Sequence, residues 1–290
     1  GSALVAKKAM SLFEVKMSVP DTDRSRQSTV KSASEPQKII YGEALVSGPI
    51  SFIGLGGVDN KDLYQTIVLA GHEVNAITDV YFDDFVITNT QINSGNTAGG
   101  AVNAGAFQTK NNVDIVTINK YRGTNPQSAD SMFVGQFGNY TTNHRGDGIA
   151  YLAMKWVLNG DSAKTWDKYA PGNVKALVQG KKVYDPRLEV TAGGDAGDSP
   201  GNASYIAYSD NPALCAIDYL MDQTVGLNVP SSKINWSAVI TAANGCDATV
   251  TVPGGTEKTF TCNGVVFATD THQKNINKIL SSMNGSLVYS

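Results

Sequence analysis

At 290 residues the chain is long enough for one large domain or two to three small ones with a buried core. With 41% apolar residues, 17% charged residues and 29 glycines, a turn-rich strand or mixed fold is favoured over a helical bundle. A formal net charge of −3 excludes a global attraction to nucleic acid or anionic membrane, and no run nears the roughly 20 apolar residues of a membrane-spanning helix.

In chain order, Gly1-Ser2 reads as a cloning remnant, and "LVAKKAMSLFEV" (residues 4–15) as a small helix that docks on something else. Residues 21–38, "DTDRSRQSTVKSASEPQK", hold almost no large apolar side chain and read as a linker or arm without a core of its own. From Ile39 the texture becomes β-prone. "KIIYGEALVSG" and "ISFIGLGG" are short β-prone runs split by Gly48-Pro49. "DLYQTIVLAG" and "EVNAITDVYFDDFVI" follow, the second with Val74, Ala76, Val80 and Phe82 on one alternating face and Asp79 on the other, beside Ile77 and Tyr81.

Residues 88–144 are rich in Asn, Gly, Ala and Thr around one clear strand, "VDIVTINKY", and read as an inserted β subdomain or long loop. "GIAYLAMKWVL" fits either a helix (Ile149, Leu152, Ala153, Trp156) or a strand face (Leu152, Met154, Trp156, Leu158). "VKALVQGKKVYD" predicts a hairpin turning near Gln179-Gly180. After the glycine-rich stretch 191–204 come three helices. Asn211 with Pro212 starts one, Asn235 starts a second that Gly245 ends, and Asp270 or Thr271 starts a third running to Met283, with Gly285 beyond it. The chain ends in "GSLVYS", an extended segment expected to continue in a longer protein.

Few residues suggest chemistry. His72 and Glu73 are adjacent, so on a strand they face opposite sides, and the HExxH spacing fails because Ala76 stands where the second His is needed. Asp79, Asp83 and Asp84 read as a solvated hairpin end. "GLGGVD" (residues 54–59) lacks the third glycine and following helix of a dinucleotide fingerprint and reads as a turn. "GGDAGDSPG" fits neither an EF-hand nor a nonapeptide calcium pattern, and Arg145-Gly146-Asp147 reads as ordinary turn residues. His72, His144 and His272 stand in unrelated settings. Of the three cysteines, Cys246 and Cys262 flank a hairpin-like "DATVTVPGGTEKTFT" and could face each other, but buried free thiols are the favoured reading, and no CxxC spacing suggests zinc. The expectation is therefore no catalytic, cofactor-binding or metal-ligating residue and no enzyme. Subunit-interface residues carry no signature of their own.

Several blocks in order resemble one family. They are "PQKIIYGEALVSGPISF" (36–52), "TIVLAGHEVNAITDVYFDD" (66–84), "HRGDGIAYLAMKW" (144–156), "VKALVQGKKVYDPRLE" (174–189), "SDNPALCAIDYLMD" (209–222), "GLNVPSSKINWSAVITAANGCD" (226–247) and "ILSSMNGSLVYS" (279–290). Together they resemble the N-terminal hub portion of the central tail hub family of long-tailed bacteriophages, also called tip attachment protein J. The resemblance implies an α+β, β-rich fold of small barrel-like hub domains. Residues 1–35 would be an N-terminal arm, 36–87 with 145–205 a first hub domain, 88–144 an insertion, and 206–290 the start of a second hub domain. It also implies a homotrimeric virion protein at the distal end of the tail, assembled in the host cytoplasm. Its expected partners are the tail tube or distal tail ring, other tail-tip proteins and DNA passing through the lumen, and host-envelope contact would fall to parts beyond this chain. A tail-tip adhesin or carbohydrate-binding module is the alternative, with Trp156, Trp166 or Tyr169 in an exposed groove. A wall hydrolase comes third and needs paired carboxylates across a cleft.

Overall fold

The computed structural model describes residues 35–92, 99–107, 113–157 and 173–288. The expected N-terminal helix, nearly all of the polar arm, Leu158, Trp166 and Tyr169 lie outside the described residues. Strands β1 (Lys38–Tyr41), β2 (Glu43–Val46), β3 (Ile50–Gly56), β4 (Asp62–Ala70), β5 (Ala76–Phe82) and β6 (Phe85–Ile87) come first. Next are β7 (Gly99–Ala101), β8 (Val116–Arg122), β9 (Ala150–Val157), β10 (Val174–Gln179) and β11 (Lys182–Tyr184). The remainder alternates α1 (Pro186–Thr191), β12 (Ile206–Tyr208), α2 (Pro212–Met221), α3 (Trp236–Asp247), β13 (Thr249–Val252), β14 (Gly255–Lys258), β15 (Gly264–Phe267) and α4 (His272–Ser281). The fold is α+β and β-rich, as expected. Among the described residues every sheet is open and none closes into a barrel, because β3 and β7 end the largest sheet without pairing to each other.

The chain divides into two compact units, one built on residues 45–72 and 76–177, the other on 36–44, 73–75 and 178–290. The first unit centres on an antiparallel sheet ordered β3-β4-β9-β8-β7. The two candidate faces of "AYLAMKWV" resolve as a strand with both faces covered. Leu152, Met154 and Trp156 point one way, and Trp156 packs on Phe82 of β5 at 4.6 Å between ring centroids. Tyr151 and Ala153 point the other way, into an aromatic layer of Phe52, Tyr64, Phe133, Phe137 and Tyr140. A strand buried on both faces reads as a continuous apolar run, which is why its periodicity is ambiguous.

Residues 88–144 supply β7 and β8 to this sheet, and the segment after β8 carries Phe133, Phe137 and Tyr140 over its outer face. A second sheet is ordered β2-β10-β5-β6, and its β5–β6 hairpin turns at Asp83-Asp84 with Phe82 opposite Phe85. The Gly48-Pro49 break follows from close approach. Pro49 O accepts the Val68 N–H at 3.0 Å, and any Cβ on residue 48 would collide with Val68 O.

The β-prone run "KIIYGEALVSG" holds two strands: Gly42 takes a φ of 59°, and β1 pairs with β15 while β2 joins the second sheet. One expectation needs correction. "VKALVQGKKVYD" is not a hairpin: β10 lies beside β2 and β5, whereas β11 pairs with β12. The chain runs straight on through Gly180-Lys181, whose N–H groups donate to Gly42 O (2.7 Å) and Ile40 O (2.8 Å). A sheet-to-sheet switch leaves the same Gln-Gly signature as a tight turn.

In the second unit, α2, α3 and α4 enclose a core of Tyr41, Val183, Leu214, Cys215, Tyr219, Ala243, Cys246, Val266, Ile276 and Ile279, among others. Asn211 caps α2 and Asn235 caps α3 through their side-chain oxygens, and Thr271 rather than Asp270 caps α4. α3 continues past Gly245 to Asp247, since this glycine keeps a negative φ. α4 ends at Ser281, and the Gly285 N–H closes on Leu280 O at 3.0 Å. The short helix α1 went unforeseen although its signal stands in "YDPR": Asp185 caps it, and Pro186 occupies the first helical position.

Candidate functional site

The residues that first suggested chemistry do not converge. His72 and Glu73 lie in the turn after β4, not on a strand. The Glu73 carboxylate pairs with Lys182 Nζ at 2.9 Å. Asp79 accepts the Asn89 N–H at 3.0 Å, and Asp83, at a φ of 52°, accepts the Asn173 N–H at 2.9 Å. These carboxylates close turns. His144 accepts the Thr141 N–H through Nδ1 and stacks on Tyr140, while His272 Nδ1 meets the Tyr219 hydroxyl at 2.9 Å. Arg145 pairs with Asp147 at 3.0 Å, and Asp147 accepts the Gln127 N–H, so the Arg-Gly-Asp stretch ties its own loop together. Among the described residues no three His, Cys, Asp or Glu side chains come together as metal ligands.

Trp156, a candidate for an exposed aromatic groove, is 3% exposed and belongs to the core. The aromatic layer next to it contains phenols in place of a nucleophile and base. Burial pushes the Tyr121, Tyr140 and Tyr151 hydroxyls up, and the Asp130 carboxylate adds to each shift. Tyr121 and Tyr151 stack at 4.5 Å with planes 7° apart. Asp130 is fully buried and accepts from Asn119 Nδ2 (2.8 Å) and the Met132 N–H (2.7 Å).

Two charged groups missed in the sequence stand out in the structure. Lys120, mid-strand in β8, is 4% exposed, and its ammonium donates to Thr78 O and to Asn89 Oδ1. Burial lowers its pKa to about 8 against the opposing pull of Asp79.

The second is a clasp in the other unit, centred on "GKKVYDPRLE". Lys181 Nζ donates to Asp218 Oδ2 at 2.8 Å and to Asp222 Oδ2 at 2.7 Å, and the Tyr41 hydroxyl donates to Asp218 Oδ2 at 2.6 Å. Asp218 and Asp222 sit four residues apart on and just past α2, so one lysine grips both. Burial raises Asp218 despite the lysine. Asp222 resists the same push because Lys181 and the N–H groups of Val225 and Thr224 hold it at about 2. Burial alone would lower Lys181, but its two carboxylates raise it.

The clasp continues along the chain. Tyr184 donates its hydroxyl to Glu189, and the Gly197 N–H donates to that hydroxyl at 2.7 Å. Gly197 has a φ of 90°, and a Cβ there would run into the Trp236 ring. Arg187 bridges Asp185 (2.7 Å) and Asp247 (2.9 Å), and Lys258 bridges Asp247 (3.1 Å) and Asp210 (2.7 Å). One ten-residue stretch thus joins β1, α1, α2, α3 and the base of the β13–β14 hairpin. The carboxylate pair Asp218 and Asp222 is filled by a lysine rather than facing a cleft. This arrangement holds elements together. Its residue types are commonplace singly, and only the fold brings them together.

No protein-family model matches the chain, and no curated protein matches it. Among solved structures, the chain is similar to one described as "Virion of native gene transfer agent (GTA) particle", at 18% sequence identity and a TM-score of 0.36. The match covers 57% of this chain and 30% of that chain, so this chain spans less than a third of the neighbour's length.

Proposed function

We propose that the chain is the N-terminal hub portion of a central tail hub of the tip attachment protein J family, a non-enzymatic structural protein of a phage-like virion. In this reading three copies ring the tail axis at the distal end of the tail. They adapt a six-fold tube to a three-fold tip and surround the passage through which DNA leaves. Their partners are the last tube or distal tail ring, other tail-tip proteins and the passing DNA. The protein assembles in the host cytoplasm.

The observation that carries the reading is the run of sequence blocks that follow the family's order along a β-rich chain. The block "GKKVYDPRLE" spends its charged side chains on clasping its own unit, as suits a structural part. A non-enzymatic role accords with the lysine seated between Asp218 and Asp222, where a hydrolase would leave paired carboxylates open to substrate.

Cryo-electron microscopy of the virion's tail tip at side-chain resolution tests the proposal. Three copies around the tube axis, stacked beneath the last tube ring, are expected. A peripheral position, or a copy number other than three, would overturn it.

A further inference from the structure

The buried Lys120 side chain donates to two neutral oxygens, and one of them belongs to a side-chain amide. In mid-strand, opposite Leu152 of β9, Lys120 sends its Nζ to Thr78 O of β5 and to Asn89 Oδ1, the latter at 2.6 Å. The Asn89 carboxamide carbon is one C=O bond of about 1.2 Å further on, so Nζ lies within about 4 Å of it. Asn89 is held from both sides. It opens the short turn Asn89–Gln91, which Thr88 and Gln91 close reciprocally, the Thr88 N–H donating to Gln91 Oε1 at 2.8 Å. Its own N–H donates to Asp79 Oδ1 at 3.0 Å, and Asp79 follows Thr78 in β5. An amine, a carboxamide and a carboxylate therefore meet between β5, β8 and the turn after β6, all within the first unit. Burial lowers the Lys120 pKa to about 8, so an appreciable share of the amine is unprotonated near neutral pH.

We propose that Lys120 and Asn89 condense in the folded chain to an intramolecular isopeptide bond, with Asp79 carrying the proton and ammonia leaving. Burial strips a lysine of its water and its proton, which makes it a nucleophile. The fold supplies the second requirement by holding nitrogen and carbonyl carbon together, where a free amine and amide in water meet too rarely to react. A turn about the Lys120 Cε–Nζ bond directs the nitrogen lone pair at Asn89 Cγ while Thr78 O keeps one N–H. The bond formed is Lys120 Nζ to Asn89 Cγ, and the bond broken is Asn89 Cγ to Nδ2. Asp79 takes the proton given up by the attacking nitrogen and returns it to the departing one. A lysine ammonium and a carboxamide thus become one secondary amide and one ammonium ion, with no oxidant needed. The product ties the middle of β8 to the turn after β6 and restricts the unfolded state as other cross-links do. Until it closes, the chain is in the open state the structure shows, with Lys120 a titratable amine. The bond concerns the first unit alone and does not rest on the tail-hub reading.

Intact-mass spectrometry of the folded chain after incubation at neutral pH, followed by tryptic mapping, tests the bond. The chain should weigh one ammonia less than its sequence. Residues 62–110 should come joined to residues 111–122, uncut after Lys120, and lighter by that ammonia than the two peptides together. Asn89→Ala should keep the full mass of its own sequence, and Asp79→Asn should close the bond about 100-fold more slowly. Full sequence mass in the wild type would overturn the proposal. So would a Lys120 that trypsin still cuts, or an ammonia loss that maps to an Asn-Gly step such as Asn284-Gly285. Closure at the wild-type rate in Asp79→Asn would overturn the part given to Asp79. The decisive map needs only the wild-type chain, so a variant that folds poorly does not weaken the test.

Discussion

Lys120 is a cation whose ionisation the fold works against. In the unfolded chain its ammonium titrates near 10.5; in the native unit it titrates near 8, because burial removes water that two protein acceptors replace only in part. Between those values the unfolded chain holds a proton that the native chain has released. Stability therefore rises with pH across that window, by up to about 3 kcal/mol from this one group. Urea melts at pH 7.5 and 10 should show Lys120→Met losing most of its advantage over the wild type at the higher pH. An equal gap at both pH values would mean the native ammonium is as well solvated as the unfolded one. Nothing in "TINKYR" announces this residue. A lysine in an alternating strand reads as solvent-facing, and only the packing of β5 and the turn at Asn89 encloses it. His72, which does attract attention in the sequence, lies in a turn.

Among the elements, local signals were readable and partnerships were not. Asn211, Asn235 and Thr271 cap where their side-chain chemistry indicates, since an N-cap is decided within four residues. The destination of β10 and β11 was hidden because strand pairing is settled by distant segments. Gly180 permits a hairpin turn or a straight passage equally well. The clasp was hidden for the same reason: Lys181 is far in sequence from Asp218 and Asp222 and meets them only when β11 passes α2. Its value can be measured. Lys181→Met leaves two partly buried carboxylates facing each other without a cation, so the second unit should lose about 3 kcal/mol in chemical denaturation. Adding Asp218→Asn should recover part of that loss, because it removes the carboxylate whose ionisation burial opposes the more strongly. If the single variant melts like the wild type, the clasp is an ornament of the surface and the block "GKKVYDPRLE" must be explained some other way.

For the molecule as a whole, the charge inventory bears on what a DNA passage requires. The chain has 23 basic and 26 acidic residues, and many of its cations are already taken. Lys61, Arg145, Lys181, Lys182, Arg187, Lys258, Lys274 and Lys278 each face a carboxylate of their own chain at 3.0 Å or less. Affinity for duplex DNA comes chiefly from cations that displace condensed counterions, and a paired lysine has little to offer a phosphate. A conduit that gripped DNA would slow its exit, so a hub subunit should be nearly inert toward it. Fluorescence anisotropy of a labelled duplex titrated with the chain at physiological salt should show no saturation below roughly 100 μM, the weak end of non-specific binding. Micromolar binding that weakens steeply with added salt would reveal an uncompensated basic surface. The proposed passage role would then give way to one in which the protein holds nucleic acid.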